Sequence, residues 1–378
     1  MDFGTAGVAL GRVWHPQFAG PSIVTIRDGR VIDITSKQAP TVRDVCELDD
    51  PAAYVMAADG RDIGSLEEIA GNSASDNSAF HFLAPCDLQA IKACGVTFAG
   101  SMVERVIEER AQGNPALADE IRRRVAQNIG DSLRNIVPGS PEAAEIKQAL
   151  INEGLWSQYL EVGIGPDAEV FSKSQVLSAV GPGADVGLHP ISAWNNPEPE
   201  VVLAVSSRGR IVGATLGNDV NLRDVEGRSA LLLSKAKDNN ASCAIGPVLR
   251  LFDVEFGLDD VRAAELTLTV EGDDGFVLNG RSSMSEISRD PIDIVKQVVG
   301  PHHQYPDGFV LFLGTLFAPT QDREKPGAGF THKLGDRVEI SAPGLGALRN
   351  TVRLSTECEP WTFGLSDLMR NLAQRNLI

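Results

Sequence analysis

Two prolines in the segment 196–200, NPEPE, constrain the fold of this chain more than any other local feature of its sequence. A proline ring holds φ near about −65° and removes an amide donor, so this segment has to be extended rather than helical. An apolar run continues to about Val205, Arg208 and Gly209 supply a turn, and a second apolar run covers 211–216. The pattern predicts an antiparallel β-hairpin.

Three carboxylates meet at the open end of this predicted hairpin. Glu198 and Glu200 are two residues apart on an extended segment, so their side chains point to the same face. Counting back from the turn places Asp219 opposite Glu198. A hard divalent cation would relieve the repulsion between the three groups, and ligation by oxygen alone favours Mg²⁺, Mn²⁺ or Ca²⁺ over zinc. The spacing alone equally allows solvent-facing glutamates and a turn aspartate.

Cationic residues follow the third carboxylate along the chain. Arg223 lies four residues after Asp219, and Lys235 and Lys237 lie in a segment that runs into a loop rich in Gly, Asn and Ser. Cations beside a metal would suit an anionic substrate. Structural ion pairs account for the same residues if the metal site is absent.

Strand patterns dominate the chain from about residue 161 onward, where β-branched runs such as EVVLAV, ELTLTV and RVEISA are separated by Gly, Asp and Asn turns. Helical apolar spacing covers 102–130 and 141–159, and Ser140 followed by Pro141 is a typical helix start. We therefore predict a β-rich α+β fold in which two or three helices precede most of the strands.

The first eighty residues contain short strands separated by turns, as in SIVTIRDGRVIDI with Asp28 and Gly29 at its centre. The segment 71–78 is small and polar, which is typical of an exposed linker. The pattern predicts a small β-rich N-terminal domain over residues 1–80 and a larger domain over 81–378.

Charge and composition exclude several classes of partner. The chain has 378 residues and a formal net charge of −17, so its field repels nucleic acid and anionic membranes. The N-terminus lacks the pattern of a secretory signal, and the apolar stretch 309–318 is too short to cross a bilayer. We expect a cytosolic location. Five scattered cysteines without a CxxC pair argue against a disulfide framework and against zinc.

Other catalytic patterns are missing from the sequence. It contains no GxSxG motif, and its six histidines lack the HExxH spacing. The glycine-rich segments 180–187 and 343–346 do not join a strand to a helix in a nucleotide-binding pattern. The acidic hairpin is therefore the main candidate site.

Six segments, in this order, resemble the fumarylacetoacetate hydrolase superfamily: FLAP, NPEPEVVL, GNDVNLRD, LSKAKDNNASC, FLGT and GDRVEISAPGLGALRNTV. The resemblance implies a mixed β-roll catalytic domain, commonly a dimer, with a helical lid near 99–130. It also implies that Mg²⁺ binds Glu198, Glu200 and Asp219. By the same resemblance, the candidate substrate-binding residues are Ser101, Lys173, Arg223, Asn240 and Thr315, and the candidate catalytic residues are Glu104, Lys237 and Glu226.

Two positions depart from the pattern of the hydrolytic members. Those members carry a histidine and a glutamate on the lid helix that activate water. This chain keeps the acid as Glu104 but has Ser101 where the histidine would be, and Glu226 replaces a frequent glutamine. The incomplete dyad argues against hydrolysis of a C–C bond.

Longer segments, including ERVIEER, GLWSQYLEVGIGPDAE, WNNPEPEVVL and PWTFG, look like the 2-keto-3-deoxy-pentonate dehydratase branch of that superfamily, of the xylonate or arabinonate type. The resemblance implies dehydration to 2,5-dioxopentanoate, the semialdehyde of 2-oxoglutarate, in oxidative pentose catabolism. Mg²⁺, or Mn²⁺, would be the cofactor and the protein a homodimer or homotetramer.

The sequence leaves the chemical roles open between several residues. Lys237 or Glu104 is the expected base, and Glu104 or Glu226 the expected acid. Two other functions are weighed against dehydration: a hydrolase of 2,4-diketo acids from the same superfamily, and a catalytically silent sugar-acid-binding protein.

Overall fold

The computed structural model describes residues 2–4, 7–72, 74–112, 114, 117–118, 121, 136–152, 154, 156–315, 319–324 and 329–378. Its strands are β1 (Ala9–His15), β2 (Gly20–Arg27), β3 (Arg30–Asp33), β4 (Arg61–Ser65), β5 (His81–Leu83), β6 (Ala90–Gly95), β7 (Glu169–Ser174), β8 (Asp185–Leu188), β9 (Pro199–Val205), β10 (Ile211–Asp219), β11 (Cys243–Leu251), β12 (Glu265–Glu271), β13 (Val277–Ser283), β14 (Phe309–Phe312), β15 (Arg337–Ala342) and β16 (Gly346–Leu354).

The helices of the described residues are short. They are α1 (Val42–Glu47), α2 (Pro51–Ala57), α3 (Leu66–Gly71), α4 (Ala99–Arg110), α5 (Pro141–Asn152), α6 (Gln158–Ile164), α7 (Arg223–Glu226), α8 (Leu233–Lys237), α9 (Leu258–Arg262), α10 (Pro291–Val298) and α11 (Leu365–Gln374). None of these described helices is long and apolar enough to cross a membrane.

Two sheets organise this part of the chain. The larger follows the order β4-β3-β2-β1-β11-β10-β9-β14-β6-β7, with β5 paired to β1, and the smaller follows β13-β12-β15-β16-β8. The central strands β9 and β11 are buried along their whole length, as expected for a sheet that is covered on both faces. Strand β12 instead alternates between buried and less buried residues, so one of its faces packs on the core. The predicted β-rich mixed fold is confirmed.

The predicted hairpin forms in the predicted register. Strands β9 and β10 are antiparallel, with Gly217 opposite Glu200 and Asn218 opposite Pro199. The amide of Asp219 donates to the Glu198 carbonyl over 3.1 Å, which continues the ladder one step beyond the paired residues. Side chains of this hairpin, including Leu203 and Leu216, pack in one apolar cluster with residues of the smaller sheet. The acidic end of the hairpin is therefore fixed by burial as well as by hydrogen bonds.

The helices agree with the predicted segments where these are described. The lid helix α4 ends at Arg110, and most of the remainder of the predicted helix, to residue 130, lies outside the described residues. Helix α5 begins at Pro141, and Ser140 accepts a hydrogen bond from the Ala143 amide, as predicted for its N-cap.

The N-terminal strands continue the large sheet. Strand β1 pairs with β11 through Ala9 opposite Arg250 and Leu10 opposite Leu249. Strands β2, β3 and β4 follow outward from β1. The division into domains at residue 80 stays a prediction.

Candidate active site

Three buried carboxylates converge where the hairpin opens. Glu198, Glu200 and Asp219 are each at most 2% exposed, and one carboxylate oxygen of each lies within 4.8 Å of the others. Asn218 Oδ1 accepts a hydrogen bond from the Glu198 amide at 3.1 Å, which holds the proline-flanked segment against β10. The alternative of solvent-facing glutamates is wrong, because the strands around them are central strands of a covered sheet.

Burial and mutual repulsion of the three carboxylates favour the binding of a cation between them. Burial raises the pKa of Glu200 well above its ordinary value, and repulsion from Asp219 and Glu198 raises it further. The Gly314 amide donates to Glu200 Oε2 at 2.7 Å and offsets only part of this. An all-oxygen donor set with one strongly disfavoured anion fits a hard dication such as Mg²⁺ or Mn²⁺.

Two buried lysines flank the triad. Lys237 Nζ lies 2.5 Å from Glu198 Oε2 and 3.0 Å from Asp219 Oδ2. Lys173 Nζ lies 2.8 Å from Asp219 Oδ1 and also donates to the Lys237 carbonyl. Burial alone would lower the pKa of Lys237, but the carboxylates of Asp219 and Glu198 outweigh burial and raise it. In the protein without metal, Lys237 is thus an ammonium group rather than a base.

The lid helix reaches the triad through Arg105, which the sequence analysis did not single out. Arg105 donates through Nη2 to Glu198 Oε1, and through Nη1 to Glu226 at 2.8 Å and to Glu108 at 2.7 Å. Glu108 in turn pairs with Arg223 Nε at 2.8 Å. The spacing of positions 101, 105 and 108 places them on one helix face, which indicates shared neighbours but does not identify them.

Removing Arg105 should destabilise the protein and strengthen its metal binding. In Arg105→Gln, Glu226 loses the cation described above, and Glu198 and Glu108 keep only Lys237 and Arg223. We therefore expect the free energy of unfolding to fall by about 3–5 kcal/mol without metal. The same change frees Oε1 of Glu198, so the rise in melting temperature on adding Mg²⁺ should exceed that of the wild type. Thermal unfolding with Mg²⁺ or EDTA measures both effects.

The matched control for this variant is Arg110→Gln on the same helix. Arg110 is exposed, and among the described residues it donates to the Gly154 carbonyl, so its replacement should change stability by no more than about 0.5 kcal/mol. Equal melting temperatures for the two variants would contradict the role of Arg105.

A further carboxylate, Glu169, was also missed. It begins β7, two and four residues before Phe171 and Lys173, so all three side chains share one face of the strand. Burial raises the pKa of Glu169 to about 7, with further contributions from the charges of Glu226 and Glu198. Its neighbour across the ladder is Gly95, where an added Cβ would lie 2.1 Å from Glu169 Oε2. Because Gly95 has no side chain, there is room for the carboxyl group of Glu169.

The other predicted residues occupy different places. Glu226 and Arg223 join the ion-pair network, and the guanidinium of Arg223 also lies over the Trp194 ring at 5.3 Å. Thr315 is buried and directly follows Gly314. These three positions are therefore close to the triad or to its immediate contacts.

Two predicted residues have side-chain hydrogen bonds outside the triad. The Ser101 hydroxyl donates to the Phe98 carbonyl of its own helix start at 2.8 Å. A third predicted residue, Glu104, is half-buried on α4. The Asn240 amide donates to the carbonyls of Ser355 and Glu359 and so holds the C-terminal segment.

Residues 165–353 match the family model described as fumarylacetoacetate (FAA) hydrolase C-terminal. The chain belongs to the fumarylacetoacetate hydrolase family. The matched region contains the whole carboxylate triad, Lys173, Lys237 and Glu169, whereas the lid helix α4 precedes it.

Within this family, the chain is similar to two curated dehydratases. It is 35% identical over 195 residues to a probable 2-keto-3-deoxyxylonate dehydratase of Haloferax volcanii, which covers 51% of this chain and 63% of the relative. It is 28% identical over 185 residues to the 2-dehydro-3-deoxy-D-arabinonate dehydratase of Saccharolobus solfataricus, which covers 49% of this chain and 58% of the relative. The chain thus spans about three-fifths of the length of these relatives.

A solved family structure confirms the fold over most of the chain. It is a 2-keto-3-deoxy-D-arabinonate dehydratase complexed with magnesium and 2,5-dioxopentanoate, with a TM-score of 0.63 at 19% identity. The superposition covers 92% of this chain and 99% of that one.

Proposed function

We propose that this protein catalyses the metal-dependent dehydration of a 2-keto-3-deoxy-pentonate, of the xylonate or arabinonate type, to 2,5-dioxopentanoate. The observation that carries the proposal is the buried triad of Glu198, Glu200 and Asp219 with cationic side chains around it. The names of the two curated relatives and the product bound in the solved family structure support the substrate class. The helix position at which hydrolytic relatives carry histidine holds Ser101, which supports dehydration over hydrolysis.

Bound at the triad, Mg²⁺ or Mn²⁺ would supply a Lewis acid that polarises the 2-oxo group of the substrate. The chain supplies positive charge for the substrate carboxylate through Arg223, whose Nη2 has no hydrogen-bond partner among the described residues. Lys173 orients Asp219 through their ion pair. Thr315 remains a proposed substrate contact because it directly follows Gly314, whose amide binds Glu200.

The reaction needs a base for the C3 proton and an acid for the departing C4 hydroxyl. Lys237 and Glu104 remain the candidate bases, since a metal at the triad would compete for the carboxylates that hold Lys237 as an ammonium group. We assign the acid to Glu169 rather than to Glu226, because Glu226 is paired with Arg105. Glu169 instead shares the face of β7 that carries Lys173 and, with a pKa of about 7, is about half protonated at neutral pH. The C3 proton and the C4 hydroxide leave as water and a C3–C4 double bond forms. Transfer of a proton from C5 to C3 then gives the C4–C5 enol, which tautomerises to the aldehyde at C5.

We further propose a cytosolic homodimer or homotetramer that serves pentose catabolism, with a small N-terminal domain over residues 1–80. The acidic surface supports a small-molecule partner rather than nucleic acid or a membrane. Light scattering after size-exclusion chromatography should give twice or four times the mass of 40.3 kDa. A monomer at micromolar concentration would contradict the proposed assembly.

A substrate panel tests the proposed reaction against its alternatives. The Mg²⁺-loaded protein is incubated with 2-keto-3-deoxy-D-xylonate, which is the same compound as 2-keto-3-deoxy-D-arabinonate because C4 is its only stereocentre. Its C4 epimer, 2-keto-3-deoxy-L-arabinonate, and a 2,4-diketo acid such as acetylpyruvate complete the panel. We expect loss of water from at least one pentonate and no cleavage of the diketo acid. Cleavage of acetylpyruvate alone would establish the hydrolase, and binding of a pentonate without any turnover would establish the silent sugar-acid-binding protein.

A further inference from the structure

A buried arginine, Arg12, lies away from the triad on β1. Arg12 is 5% exposed, and its Nε and Nη1 have no hydrogen-bond partner among the described residues. Asp87 interacts electrostatically with Arg12, but its carboxylate accepts hydrogen bonds from the backbone amides of Val42, Arg43 and Leu88 instead. A guanidinium carries five donors and stays charged, so leaving donors unsatisfied in a buried site is costly.

Arg12 lines a cavity of about 350 Å³. The cavity lies between β1, the loop after β7 and the C-terminal segment that precedes α11. This volume falls in the lower part of the range of small-molecule sites, roughly 300–1,000 Å³. None of the triad residues, the two active-site lysines or Arg105 is among the described residues that line it.

The walls of the cavity are aromatic on one side. Trp14 and Phe363 meet edge to face with ring centroids 5.7 Å apart, and Trp361 lies in the same wall. Trp361 is 47% exposed, which is more than is usual for tryptophan, and its ring nitrogen donates to the Phe363 carbonyl. Such a wall accommodates the flat apolar body of a ligand.

The charges around the cavity limit the ligand further. Arg12 is the one arginine or lysine among the described residues that line the cavity. Its unpaired Nε and Nη1 are themselves buried, so a ligand carboxylate would reach the planar fork after a small displacement of this side chain and would then accept two parallel hydrogen bonds. Asp185 and Glu359 also line the cavity, and their negative charges disfavour a polyanion such as a phosphate ester. We propose that this cavity binds a small monocarboxylic acid with a flat apolar body, at a site separate from the metal triad.

The test uses benzoate as the probe and the tryptophan fluorescence of the full chain as the readout. EDTA is present throughout, so that a metal at the triad does not contribute a carboxylate site. We expect benzoate to change the fluorescence in a saturable way, and we expect benzamide, which has the same ring without the charge, to bind at least about tenfold more weakly.

Two variants locate the binding. Arg12→Lys keeps the charge opposite Asp87 but loses the fork, so benzoate affinity should fall by about tenfold or more. Trp361→Ala removes a half-exposed side chain from the cavity wall, and it should weaken the binding of benzoate and of benzamide alike. Circular dichroism checks that both variants fold, and calorimetry replaces fluorescence for the tryptophan variant.

Three results would overturn the proposal. They are the lack of saturable benzoate binding to the wild type up to about 10 mM, equal benzoate affinity in the wild type and Arg12→Lys, and equal affinity for benzoate and benzamide.

Discussion

Glu200→Gln should abolish metal binding and raise the stability of the metal-free protein. The amide keeps the size of the side chain and its acceptor for the Gly314 amide, but it removes the anion that burial and its two acidic neighbours disfavour. Even partners that only orient metal ligands change affinity by roughly 10- to 100-fold. We therefore expect Mg²⁺ affinity to fall by at least about 100-fold, measured by calorimetry, and turnover to fall with it.

The stability change of Glu200→Gln has a defined sign. A carboxyl group whose pKa is raised in the folded state destabilises the protein once the pH rises above the ordinary value for glutamate. The variant lacks this group, so at neutral pH and in EDTA its melting temperature should exceed that of the wild type, while Mg²⁺ should no longer raise it. Glu265→Gln, on an exposed position of β12, is the control and should behave as the wild type. A lower melting temperature for Glu200→Gln in EDTA would contradict the electrostatic argument.

Glu169→Gln should lower turnover by about 10²- to 10⁴-fold while Mg²⁺ affinity changes little, because a positioned acid contributes about that much. The pKa of Glu169 is raised to about 7. As a general acid, Glu169 is active when protonated, so the wild-type turnover should fall as pH rises above about 7. The pH profile of Glu169→Gln should lack this decrease in turnover above about pH 7. The stability of this variant should also exceed that of the wild type above pH 7, where Glu169 is ionised in both the folded and the unfolded chain.

Glu104→Gln is the matched comparison, since it makes the same chemical change on the lid helix. We expect it to lower turnover by about 10²- to 10⁴-fold if Glu104 is the base, with the decrease in turnover above about pH 7 retained and metal binding intact. A full loss of turnover in Glu104→Gln, with normal turnover in Glu169→Gln, would contradict Glu169 as the general acid and assign that role to Glu104 on the lid helix.

The triad could be predicted because every element of it is local. Two prolines fix the strand, one short turn fixes the register, and the side-chain period of two then places Glu198 and Asp219 together. Glu108 and Arg105 could not be placed in the same way. Arg105 reaches Glu198 across 93 residues of sequence, and only the docking of the lid helix decides which of its faces meets the hairpin.

The contacts of Asn240 could not be predicted from its position close to Lys237 in the sequence. It lies three residues after Lys237, but Ala241 has a φ of 59° in the left-handed region and the chain reverses there. Ser242 then bonds back to the Lys237 and Asn239 carbonyls, and Asn240 faces the C-terminal segment. The candidate role of Asn240 in substrate binding came from the family resemblance and stays a prediction, while its side-chain amide holds the C-terminal segment.

The pairing of strands that are distant in the sequence could not be predicted from the sequence pattern either. Hairpins such as β9–β10 and β12–β13 follow from alternation and turns. The parallel pairs β6–β14 and β8–β16 join strands that are distant in sequence, and nothing in either strand alone specifies its partner. Those pairings depend on which buried faces fit together.

The measurement that most directly tests the proposed function is a proton NMR time course of the wild-type protein with 2-keto-3-deoxy-D-xylonate, first with Mg²⁺ and then with EDTA. We expect signals of 2,5-dioxopentanoate to grow only when the metal is present. Release of pyruvate, or an unchanged spectrum under both conditions, would contradict a metal-dependent dehydratase acting on this substrate.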